Sequence, residues 1–239
     1  MLVSKTATMI AAASLALLVA LPASAATVNK SIKIGDGEET GGATSVNGSI
    51  TVGSDATVNG GVKTVNGKIR VDDRSSIRNA TTVNGSIRLG DGVKTREITT
   101  VNGSITAGKS CDIDGGIEAV NGSIELGEGS VVADNVENVN GDMEFDNSVI
   151  GGDVKTVNGD IELANVSVVK GDLVVEEPKG WNSKKSRKPR IIIGPGSRVE
   201  GDIELEQEVE LFISETAEVG GVKGVMSMAE AVRFKGDKP

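Results

Sequence analysis

The sequence has no histidine, no tyrosine and one cysteine, and its aromatic residues number four: Phe145, Trp181, Phe212 and Phe234. Without histidine there is no imidazole to activate a serine or cysteine nucleophile, and none to ligate a metal. A single Cys111 excludes an intrachain disulfide and a thiolate zinc cluster. So few aromatics supply neither the girdles of a membrane barrel nor a stacking platform for single-stranded nucleic acid. Glycine, by contrast, is abundant at 32 of 239 residues, which calls for many tight corners.

Residues 1–25 read as a secretory signal peptide. Lys5 gives the positive start, Met9–Leu21 is an apolar run short for a bilayer span, and Ala23-Ser24-Ala25 is a small-x-small cleavage site. An uncleaved anchor is the competing reading. No cysteine follows the run, so lipidation there is not expected. Cleavage removes Lys5 alone among charged residues and leaves 24 Lys+Arg against 34 Asp+Glu, a net charge of −10. Such an acidic chain repels nucleic acid and anionic lipid. The expectation is an exported protein, periplasmic or at the cell surface, with no transmembrane segment after cleavage and no nucleic-acid partner.

The tripeptide Val-Asn-Gly, or a near copy, begins at Val28, Val46, Val65, Val83, Val101, Val120, Val139 and Val157, at steps of 18 or 19 residues. Four residues after each Val stand Ile32, Ile50, Ile69, Ile87, Ile105, Ile124, Met143 and Ile161. Six residues after stand Ile34, Val52, Val71, Leu89, Ala107, Leu126, Phe145 and Leu163. Ala43, Val62, Ala80, Ile98, Ile117, Val136 and Val154 precede the next Val by three. A weaker apolar set comprises Val58, Ile77, Val93, Cys111, Ile113, Val132, Val149 and Val169. Alternation of period two inside a repeat of 18–19 residues means short strands separated by corners. Repeats of this length bury their apolar faces only by stacking. The prediction is all-β: a single-domain parallel β-solenoid, three-faced and right-handed by the usual preference of parallel crossovers, of about ten coils. A chain of Asn-Gly hairpins is the competing arrangement.

Coils one to eight occupy 26–175. Residues 176–190 form a basic inserted loop, coils nine and ten run over 191–224, and 225–239 make a C-terminal cap or tail with a short helix. Val101 and Ile124 are both expected to face the core, so an aspartate at either would bury an unpaired charge.

The asparagine column (Asn29, Asn47, Asn66, Asn84, Asn102, Asn121, Asn140, Asn158) is read as a structural amide ladder along the stack. The hydroxyls before each Val are expected to help satisfy the same corner. As an exposed array they could instead meet ice or carbohydrate. Five residues after each Val, an outward column changes sign: Lys33, Thr51, Arg70, Arg88 and Thr106, then Glu125, Glu144 and Glu162. The acids Asp142, Glu144, Asp160 and Glu162 are either a solvated face or a weak Ca²⁺ site. A carboxylate pair for glycoside cleavage is the remoter option. The inserted loop carries Trp181, Lys184, Lys185, Arg187, Lys188 and Arg190, a composition suited to an anionic polysaccharide or lipopolysaccharide, or to a solvated loop. Cys111 is read as a small buried hydrophobe.

The leader followed by serial T-V-N-G-x-I-x-L coils resembles the bacterial exported adhesin family of β-solenoid repeats. Gly194–Ile203 is also similar to coils of bactofilin-type polymer-forming proteins. The resemblance implies a structural or adhesin-like envelope protein; self-association through the solenoid ends is expected because the predicted first strand starts at Thr27, directly after the cleavage site, and leaves a parallel edge uncovered. The resemblance supplies no catalytic residues and no cofactor. A polysaccharide lyase or hydrolase is the less favoured alternative, because the uniform coil length leaves no room for the loops that wall such sites. The expectation is a protein that is not an enzyme.

Overall fold

The computed structural model describes residues 26–178 and 187–239. The expected signal peptide (1–25) and the loop residues Trp181, Lys184 and Lys185 lie outside the described residues.

The chain is an all-β parallel solenoid of about ten turns. One eleven-stranded sheet takes a strand from every coil, from Ile32–Ile34 at one end to Val232–Phe234 at the other. A seventeen-stranded sheet covers the other two faces, because strands such as Thr57–Asn66, Ser76–Asn84 and Arg198–Leu205 run unbroken round the corner between them. Every ladder between described strands is parallel, which removes the hairpin arrangement. At the usual strand spacing the eleven-stranded face extends over roughly 48 Å.

Register follows the repeat. Ile105 lies between Ile87 and Ile124, and Ala107 between Leu89 and Leu126, so like residues stack on like in one continuous core. Each fully buried Ile or Val contributes about 1.5–3 kcal/mol by leaving water. The residues after Arg190 continue these columns: Ile191 pairs with Ile161, and Leu211 with Ile191. The insertion thus interrupts the corner where Val-Asn-Gly stands elsewhere, as its sequence position implies.

Three expectations need correcting. The Val of Val-Asn-Gly is not a core residue: Val28 is 65% exposed, Val46 38%, and Val101 is only half-buried. The residue before it points inward instead: Ser45, Thr64, Thr82, Thr100, Ala119, Asn138 and Thr156 are all buried. Strand alternation carries straight through Ile98 to Thr100, and the hydroxyl then satisfies a backbone carbonyl one coil back. Thr64 donates to the Gly48 carbonyl (2.8 Å), Thr82 to that of Gly67 (3.0 Å), and Thr100 to that of Gly85 (3.1 Å). Buried polar groups persist where they find such partners. This inward orientation leaves no exposed threonine file.

In the weaker set, Ile150 rather than Val149 enters the core, and Thr95 holds the equivalent place one coil before Ile113. A second buried file at that corner is mostly serine: Ser75, Ser130, Ser148, Ser167 and Ser197. Ser130 donates to the Gly108 carbonyl (2.9 Å) and accepts from the Cys111 amide (3.1 Å). Cys111 stands in this serine file and is 1% exposed, its thiol set against the Gly90 carbonyl at 3.1 Å.

At the other end, Met228–Glu230 is a single 3-10 turn opened by a Ser227/Glu230 capping box, not a capping helix. Val232–Phe234 then adds a further strand. Met226 and Met228 pack against the last coil of the core.

Candidate functional site

All seven links of the asparagine ladder form. Each side-chain amide donates to the asparagine oxygen one coil earlier, from Asn47→Asn29 (2.8 Å) to Asn158→Asn140 (3.1 Å). The ladder is exposed yet spent on itself. Beyond its end, Gln207 Nε2 donates to the carbonyls of Val157 (2.6 Å) and Glu176 (2.8 Å). None of the eight asparagines has positive φ. The glycine that follows is required by close approach: a Cβ at Gly103 would overlap the Gly85 carbonyl oxygen, and one at Gly122 that of Gly103.

The sign-changing column runs along the middle of the eleven-stranded face in unbroken register, Lys33–Thr51–Arg70–Arg88–Thr106–Glu125–Glu144–Glu162. Asp142, Glu144, Asp160 and Glu162 come together, as the sequence suggested, around a depression of about 200 Å³ that Arg190 and Ile192 complete. Three of the four acids already have protein partners. Asp142 Oδ1 accepts from the Asp160 amide (3.0 Å), stapling one coil to the next. Asp160 Oδ1 accepts from the Arg190 amide (2.8 Å) and Oδ2 from Arg187 (3.0 Å). Glu162 pairs with Lys238 (3.1 Å). Among the described residues, no group of three or more acids is disposed to hold a metal ion.

The described part of the basic loop is likewise turned inward on the chain. Besides the Arg187–Asp160 pair, Lys188 pairs with Glu208 (2.8 Å), and the Arg190 guanidinium lies 4.8 Å from the Phe212 ring centroid. The contact of Arg187 with Asp160 raises its pKa still further, and that with Glu208 raises the Lys188 ammonium. The loop stem is therefore a counter-charge for the acidic coils.

A second feature was not legible from the apolar columns. A groove of about 400 Å³ is lined by Arg78, Arg96, Glu97, Glu118, Asp134 and Glu137 with Asn79, Asn135 and two glycines. Glu118 lies directly across the ladder from Glu137. Burial, then the charges of Glu137 and Glu97, pushes its carboxyl above the ordinary carboxylate range. One coil further, Lys155 bonds Asp153 at 2.8 Å and reaches Glu137 at 4.0 Å. The signal was present as Glu118, Glu137 and Lys155 at the repeat spacing, but outward positions on this face carry no hydrophobic pattern to mark them. The groove is open and polar and lacks the apolar walls that a small-molecule site needs.

No protein-family model matches this chain, and no curated protein or solved structure shows significant similarity to it.

Proposed function

We propose that this protein is a non-enzymatic structural rod of the bacterial cell envelope, exported to the periplasm or cell surface, adhesin-like in its repeats and self-associating through its ends. The observation that carries this reading is a run of coils of nearly constant length whose terminal strands pair on one side only among the described residues. Seven successive repeat steps from Val28 to Val157 differ by one residue, so those coils carry no long loops to wall a reaction site. At the first coil, Ala26–Thr27, Ile32–Ile34 and Glu39–Thr40 each pair on one side only among the described residues. At the last coil, Glu218–Gly224 and Val232–Phe234 likewise pair on one side only among the described residues, with Met226 and Met228 packed against the core. An edge of parallel strands left unpaired is a template for another chain.

The test is electron microscopy and light scattering of the processed protein over a concentration series, with cell fractionation to follow export. Rods longer than one molecule are expected, together with loss of residues 1–25 and recovery outside the cytoplasm. Strictly monomeric particles at high concentration, or retention in the cytoplasm, would overturn it. The alternative, capture of anionic polysaccharide or lipopolysaccharide by the basic loop, is disfavoured. It would require Arg187 and Lys188 to release Asp160 and Glu208 and to face a polymer across the protein's own acidic coils.

A further inference from the structure

Charge is distributed very unevenly along the rod. Residues 26–110 carry eleven Lys+Arg against eight Asp+Glu, whereas residues 111–178 carry two against sixteen. The eleven-stranded face concentrates this asymmetry in its central column, with Arg70 and Arg88 on one side of Thr106 and Glu125 and Glu144 on the other. All four charged side chains are exposed. Arg70 uses its Nε on Asp72 (2.6 Å). Arg88, Glu125 and Glu144 form no ion pair among the described residues. Beside the middle of the column, Gly90, Gly108 and Gly127 flank one edge and Ser86, Ser104 and Ser123 the other, while Lys68, Asp72, Asp142 and Asp146 flank Arg70 and Glu144.

We infer that this face is the contact surface for a second copy of the chain, packed side by side and antiparallel about a two-fold axis through Thr106. The charge order dictates the arrangement. Arg88 and Glu125 lie one strand either side of Thr106, about 5 Å away, and Arg70 and Glu144 lie two strands away, about 10 Å. A two-fold axis at Thr106 places Arg88 opposite Glu125 and Arg70 opposite Glu144, twice each. A parallel pair would set the acidic stretches against each other, and like charges in register repel. A self-complementary patch of this kind closes as a dimer and does not propagate. The five strands from Arg70 to Glu144 give a contact about 20 Å long, which is small for a stable interface. The dimer is therefore reversible, held by rim-type charges, and weakened by salt. The contact uses no residue of the rod ends, so it stands or falls separately from end-to-end association.

The test is sedimentation equilibrium on the processed protein at low and at high salt, with two charge-reversed variants. One carries Arg70→Glu and Arg88→Glu, which makes all four charged positions from 70 to 144 acidic. The other carries Glu125→Arg and Glu144→Arg, which makes the same four positions basic. The expected results are a wild-type dimer at low salt, at least about tenfold weaker at high salt, monomers for each variant alone, and a dimer restored on mixing the two. Thr106→Cys provides a measurement that does not depend on how the reversed variants fold. It should give a disulfide-linked dimer on mild oxidation, while Lys33→Cys should not. A wild type that stays monomeric at low salt, a dimer in either variant alone, a mixture that stays monomeric, or no cross-link at Thr106→Cys would each overturn the proposal.

Discussion

The asparagine ladder makes a counting prediction. Asn121 takes part in two links, donating to Asn102 and accepting from Asn140, each at 3.0 Å. Asn29 takes part in one, accepting from Asn47 at 2.8 Å. A net hydrogen bond is worth about 0.5–1.5 kcal/mol, and at an exposed site water takes over part of the lost bonding. Asn121→Ala should therefore cost about 1–1.5 kcal/mol, and Asn29→Ala about half of that. The sharper statement concerns pairs. Asn102→Ala with Asn121→Ala breaks three links, because the two share one. Asn66→Ala with Asn121→Ala breaks four. The adjacent pair should thus cost less than the sum of its singles by about one link, roughly 0.5–0.7 kcal/mol, while the distant pair should add. Urea unfolding followed by circular dichroism, with slopes compared to confirm that the same surface is exposed, measures the four single and two double variants. If the adjacent pair is as additive as the distant one, or the singles cost nothing, the ladder is not a set of coupled bonds and the reasoning fails.

Four further outcomes follow from the geometry. Gly103→Ala should cost about 3 kcal/mol, since its Cβ would overlap the Gly85 carbonyl and the coils cannot separate locally; an unchanged melting temperature would refute it. Thr100→Asp should abolish folding while Val101→Asp is tolerated, because only Thr100 points into the core; soluble yield and circular dichroism decide between them. Glu118→Gln should raise the melting temperature at pH 7 but not near about pH 3, where the carboxyl is protonated in both states. Folding raises this pKa, so the folded state binds more protons through that window and stability falls as pH rises through it; an equal effect at both pH values would contradict the assignment. Cys111 should resist thiol reagents until the protein unfolds, because burial pushes its thiol pKa up and leaves it 1% exposed; rapid labelling of native protein would be inconsistent with the core.

The repeat alone determined the solenoid. In a parallel stack each residue sits above its counterpart one coil away, so an apolar position recurring every 18 or 19 residues becomes a column of the core, as Ile50 through Ile161 show. The same logic found the asparagine ladder and the place of the insertion between Val175 and Arg190. At corners the logic fails, because alternation depends on where a strand ends, and composition alone does not say. Val101 looks like a core residue and Thr100 like a surface one until the strand is seen to continue through Asn102. Charge pairing was equally beyond the linear pattern. Arg187 meets Asp160, and Lys238 meets Glu162, across sequence separations of 27 and 76 residues unrelated to the repeat. Such contacts depend on how a chain segment outside the coils lies against the stacked surface. That placement, like the raised pKa of Glu118, exists only once the coils have brought distant charges to neighbouring heights on one face.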